Sequence, residues 1–123
     1  MNTRVAGNGY LKLQLSNEEM EQLKYCVSTV IKKFDLFDEA VISFTKVELE
    51  QFVKRVRTTT QPNPDGPGVE FYMNNRDLSF FLGCVAELSR VYPKLDQDSN
   101  TPTAKQLDSL ADQLMKIIDD VYP

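Results

Sequence analysis

One internal repeat constrains this chain more than any other feature. Residues 11–57 align without a gap on residues 69–115, at an offset of 58. Leu11-Lys12-Leu13-Gln14-Leu15 falls on Val69-Glu70-Phe71-Tyr72-Met73. Met20, Leu23, Cys26, Val27, Val30 and Phe34 fall on Leu78, Phe81, Cys84, Val85, Leu88 and Tyr92. Thr45, Leu49, Phe52 and Val56 fall on Thr103, Leu107, Leu110 and Leu114. Identities are few, so the match lies in side-chain chemistry at corresponding positions. A fixed period of this length is the signature of one supersecondary unit used more than once.

Each unit reads as a strand followed by two helices. Leu11, Leu13 and Leu15 alternate with Lys12 and Gln14, and Val69, Phe71 and Met73 alternate with Glu70 and Tyr72. This is the period of a strand with one buried face. Both strands run into helix-start signals, Ser16 with Glu19 and Asn74 with Asp77, the shorter aspartate giving the weaker return bond. A second pair of capping boxes, Thr45 with Glu48 and Thr103 with Gln106, opens the second helix of each unit. Apolar residues follow each start at helical spacing. The final stripe continues through Ile117, Ile118 and Val121, so the last helix extends to about residue 121.

Residues 58–68 hold three prolines and two glycines and read as an exposed linker. The units at 11–57 and 69–115 are each too small for a secure core, so residues 1–123 form one domain. A lone strand has no ladder partner, so the two strands pair. Antiparallel pairing about a pseudo-twofold axis points both apolar faces the same way, as a single core requires. The expected fold is α+β and mostly helical, a pseudo-twofold internal duplication of a β-α-α unit. Its two-stranded antiparallel ribbon is covered by four helices.

The net charge of −4 is unevenly spread. Residues 1–57 hold nine basic and eight acidic groups, and residues 58–123 hold five basic and ten acidic groups. An acidic surface steers basic partners and opposes nucleic-acid binding, which needs cations to replace phosphate counterions. Lys54, Arg55 and Arg57 suit the negative end of a helix. No apolar run is long enough to span a membrane, and the start lacks the apolar core of a signal peptide. Two cysteines in no metal-ligand spacing fit a reducing compartment, so the expected location is cytoplasmic, with both thiols free.

Histidine is absent, which removes the commonest general base near neutral pH and any Ser-His-Asp or Cys-His pair. Gly7-Asn8-Gly9 and Gly66-Pro67-Gly68 lack the spacing and lysine of a phosphate loop. No cofactor or metal site is expected. The leading reading is a non-enzymatic protein acting through protein–protein contact, such as an acidic inhibitor or immunity-type protein with a basic partner, or a homodimer. Its candidate interface combines Phe37, Val41, Ile42, Phe80 and Val91 with the acidic side of the last helix, Asp108, Asp112 and Asp119. The first five diverge from their counterparts in the other unit, or form an apolar segment where that unit is polar. Burial in the core is the alternative for each. A second functional reading is a small-ligand sensor with a pocket at the junction of the units, lined by Tyr10, Phe71, Tyr72 and Tyr92.

Overall fold

A computed structural model describes residues 1–36, 44–91 and 101–121, without the side chains of Val5, Val91 and Val121. Among these residues the fold is α+β, with four α-helices and a small antiparallel sheet. The chain runs β1 (Asn2–Gly7), β2 (Tyr10–Leu15), α1 (Asn17–Lys32) and a 3-10 turn (Phe34–Leu36). It continues through α2 (Lys46–Thr59), β3 (Gln61–Pro62), β4 (Val69–Met73), α3 (Asn75–Val91) and α4 (Ala104–Val121).

All four helix starts are capped as their side chains dictate. Ser16 Oγ accepts from the Glu19 amide at 3.0 Å, and the Ser16 amide donates to Glu19 at 2.9 Å. The Thr45–Glu48 and Thr103–Gln106 boxes close in the same way. In the Asn74–Asp77 box the return bond lengthens to 3.3 Å, as the shorter acid requires. The helices that follow start 58 positions apart in pairs, α1 with α3 and α2 with α4.

The sheet is wider than a two-stranded ribbon. Its order is β1-β2-β4-β3, with every neighbour antiparallel. The expected β2–β4 pair is its centre, with Leu13 opposite Phe71. β1 adds to one edge through a hairpin whose turn residues Gly7, Asn8 and Gly9 all have positive φ. Glycine and asparagine adopt that backbone most readily. On the other side, α2 runs on to Thr59, and Gln61–Pro62 pair with Val69 and Glu70 as an edge strand. Proline is tolerated there because an edge position leaves one side of the strand without a ladder. The segment expected to be a linker therefore ends a helix and edges the sheet.

The helices cover one sheet face. Leu11, Leu13, Leu15, Phe71 and Met73 point into the core against Leu23, Val27, Phe81, Val85 and Leu88. A chain of ring contacts crosses the core: Phe44 with Phe80 at 5.2 Å, Phe80 with Phe52 at 5.3 Å, Phe52 with Phe81 at 4.9 Å and Phe81 with Phe71 at 6.0 Å. Edge-to-face and tilted pairs of this kind add to the burial energy of the rings. α3 and α4 pack closely along their lengths, while α1 and α2 touch at few points.

Candidate functional site

The acidic side of α4 lies on the surface. Asp108, Asp112 and Asp119 are exposed, and Met115, 51% exposed, completes their stripe at alternating spacings of four and three. Residues at that spacing share one helix face. Asp108 accepts from the Ser89 hydroxyl at 3.4 Å. The charges on α4 run against its own dipole. α1, α2 and α3 each carry acids in the first turn and a base in the last. α4 has no acid in its first turn and no base in its last, where Asp119 and Asp120 sit at the negative end. Such a carboxylate is unfavourable by roughly 0.3–1 kcal/mol.

Phe80 is a core residue and no part of a free surface, being only 4% exposed. Phe44 and Phe52 cover it from the α2 side, and the Arg76 guanidinium lies 5.1 Å over its ring. Phe37, Val41 and Ile42 lie outside the described residues, as does the Val91 side chain.

Of the four aromatics expected to line a junction pocket, the three that are described do not share one face. Phe71 faces the helices and is fully buried, while Tyr10 and Tyr72 project from the opposite face of the sheet. Strand alternation imposes this, since consecutive residues point to opposite sides. Tyr92 lies outside the described residues.

The outer sheet face carries a polar network instead of a covering layer. Glu70 has no exposed surface although it points away from the helices. Arg4 Nη2 donates to both its oxygens, at 3.2 and 3.0 Å. Gln14 donates at 2.8 Å and Gln61 at 3.2 Å, and Lys12 Nζ lies 3.8 Å away. Gln14 also donates to Asp65 at 2.7 Å. Burial pushes the Glu70 carboxyl up, but the bonds from Gln14, Arg4 and Gln61 and the Arg4 charge outweigh it. The group is held below the ordinary 4.5. A carboxylate so fully engaged is a poor proton acceptor near neutral pH, so this network fastens the four strands.

Cys26 and Cys84 are free and buried. Burial pushes the Cys26 thiol up to about 12 and raises Cys84 further, where neighbouring Cys26 adds to the effect. Neither is activated as a nucleophile. Among the described residues no group of three or more acidic, histidine or cysteine side chains is placed to hold a metal. No helix of these residues is long and apolar enough to cross a membrane.

A groove of about 370 Å³ opens between α1 and α2, at the end of the helix pair nearest the strands. Its floor is the core itself, through Leu23, Val27, Phe52 and Phe81. Met20, Val53 and Val56 form its apolar walls, and Lys24, Ser28, Arg57 and Thr60 supply its polar groups. Reading the periodic stripes alone misses this groove, because its floor reads as ordinary core. The signal lies in the residues 58 positions apart. Lys24, Ser28 and Arg57 stand 58 positions before Leu82, Ala86 and Met115, so polar groups stand where that offset places apolar ones.

Comparison with protein-family models, with curated proteins and with solved structures gives no match to this chain.

Proposed function

We propose that this chain is a non-enzymatic binding protein that acts through protein–protein contact, with the outer face of α4 meeting a basic partner. The observation that carries this reading is the inverted charge of α4. Three helices place their charges with the dipole and the fourth places them against it. Local choices in a folded chain normally agree with one another, and violations concentrate where function demands them. A cationic surface docked on Asp108, Asp112 and Asp119 would relieve the unfavourable charge, and Met115 would supply a polarizable apolar contact at its centre. The lack of histidine supports binding over catalysis. An acidic inhibitor or immunity-type role in the cytoplasm, without nucleic acid, is the form this reading takes. A homodimer through the same face is disfavoured by like charge.

The architecture belongs to the same proposal: two copies of a β-α-α unit, residues 11–57 and 69–115, related by a pseudo-twofold axis. Four helix starts in register and the Leu13–Phe71 pair at the strand centre support it. The duplication leaves a second set of surfaces free to diverge. A small-ligand reading also has support, from the α1/α2 groove rather than from the aromatic junction.

The deciding experiment compares wild type with the Asp108→Lys/Asp112→Lys/Asp119→Lys variant as baits in a lysate of the native host. The expected result is a basic protein that wild type retains at low salt and releases as salt rises, and that the variant does not retain. An unchanged set of retained proteins would reject the α4 face. As an independent control, Asp119→Lys alone should raise the stability of the isolated domain by about 0.3–1 kcal/mol, because it removes the clash with the dipole.

A further inference from the structure

We infer that the groove between α1 and α2 binds an amphipathic monoanion, a carboxylate carried on a hydrocarbon tail. This does not depend on the role of α4. The volume of about 370 Å³ falls within the range of small-ligand pockets, roughly 300–1,000 Å³. The walls are apolar, from Met20, Val53 and Val56, and suit an aliphatic body. The charged groups lining the groove are both cationic: Lys24 on α1 and Arg57 on α2.

The two cations are not equivalent. Lys24 Nζ lies 3.5 Å from the Glu21 carboxylate, an exposed pair that partly offsets its charge. Arg57 makes no ion pair among the described residues, and it is in the last turn of its helix. Its neighbour Arg55, by contrast, is engaged with buried Asp77 at 2.6 Å. A guanidinium presents two parallel donors to a carboxylate, so Arg57 is the main anchor and Lys24 the second. Ser28 lies in the same lining and offers a further hydroxyl donor, while the Thr60 hydroxyl donates to the Val56 carbonyl.

The other helix pair shows why this groove is more than imperfect packing. At the corresponding positions α3 and α4 carry Leu82, Ala86, Ala111 and Met115, and those helices close on each other. Ala86 and Ala111 are small enough to let the backbones approach, while Met115 lies largely exposed on the outer side of α4. In α1 and α2 the equivalent positions carry Lys24, Ser28, Val53 and Arg57, which line the gap between two helices that touch at few points. A cleft kept open only by loose packing would have no reason to carry two cations in place of a leucine and a methionine.

The test uses decanoate as probe, with decanol for the tail without the charge and acetate for the charge without the tail. Titrations followed by amide NMR and calorimetry should give saturable decanoate binding, with shifts centred on residues 20–28 and 52–60 and on Phe81. Decanol should bind more weakly and acetate without saturation. Arg57→Met, the residue of the corresponding site, should weaken decanoate at least about tenfold, as expected for a lost charge-assisted hydrogen bond. Lys24→Leu should weaken it less, and neither change should alter decanol binding. Both side chains are exposed, so thermal melts should match wild type. Any of three results would overturn the inference: no saturable decanoate binding in the millimolar range, equal affinity for decanol, or shifts centred elsewhere.

Discussion

Leu13 of β2 lies opposite Phe71 of β4 in the antiparallel register, and the same two residues are the strand centres that the 58-residue offset superposes. Opposite residues in an antiparallel pair have a constant sum of positions, and repeated residues have a constant difference. Both conditions hold at once for this pair alone, so the 58-residue offset and the register coincide at one point of the sheet. The edges depart from this relation by one residue. Thr3 is opposite Leu13, but Gln61, 58 positions after Thr3, is opposite Glu70 and not Phe71.

Phe80 should prove essential to the fold and irrelevant to contact. It bridges Phe44 and Phe52 in the core. Phe80→Ala should cost about 3–5 kcal/mol in urea unfolding, the usual range for removing a buried phenyl ring. Phe80→Asp should leave the chain unfolded, because the carboxylate would be buried without a partner. A folded Asp variant of wild-type stability would show that the ring is dispensable to the core.

Stability should fall in acid through Glu70. Its folded-state pKa is lowered, so its contribution is complete above the ordinary glutamate value of 4.5 and is lost as pH falls through the lower folded value. Glu48, lowered by the Thr45 amide and Arg76, acts in the same direction. Urea midpoints measured from pH 7 downward should therefore decline below about pH 4.5. Glu70→Gln should start lower at pH 7 and decline less. Parallel curves for the two proteins would assign the acid sensitivity elsewhere.

Gly68 is irreplaceable by a residue with a side chain. Its φ is +102°, and a Cβ there would collide with the carbonyl oxygen of Leu15. β4 begins at the next residue, so relief by backbone movement would disturb the pairing of Val69 with Leu15. Gly68→Ala should destabilise the domain by about 1–3 kcal/mol or more in chemical unfolding. Gly7, with open space around its missing Cβ, should lose less on the same change.

The two thiols should be silent until the protein unfolds. Burial keeps Cys26 and Cys84 protonated well above neutral pH, and only the thiolate reacts quickly. A chromogenic disulfide reagent should detect almost no thiol in the native protein at pH 8 and two per chain in denaturant. Fast reaction of either in the native state would mean that the core opens around it.

Much of the fold is legible in the residues because local chemistry carries it. Ser16, Thr45, Asn74 and Thr103 each announce a helix with a partner three residues on, and all four helices begin where those pairs stand. The alternation of Leu11, Leu13 and Leu15 names both the strand and its buried face. β1 is less readable, since an edge strand with one side in solvent needs no apolar alternation. Gly7-Asn8-Gly9 ahead of an alternating strand is a hairpin signal, and it gains that meaning only once β1 has β2 to pair with.

What the sequence by itself determined was therefore the periodic part: the capped helices, the central strand pair and most of the core. Only the tertiary structure decided how non-periodic residues were used. Phe80 stands 58 positions after the partly exposed Gln22, and it is core because Phe44 and Phe52 close over it. Glu70 alternates like any solvent-facing strand residue, yet Arg4, Gln14 and Gln61 from three other strands bury it. The α1/α2 groove lies between two helices that touch at few points. Local periodicity assigns each residue to a face of its own element. Which faces meet, and how closely, depends on side chains distant in sequence, and that is settled only when the whole core packs.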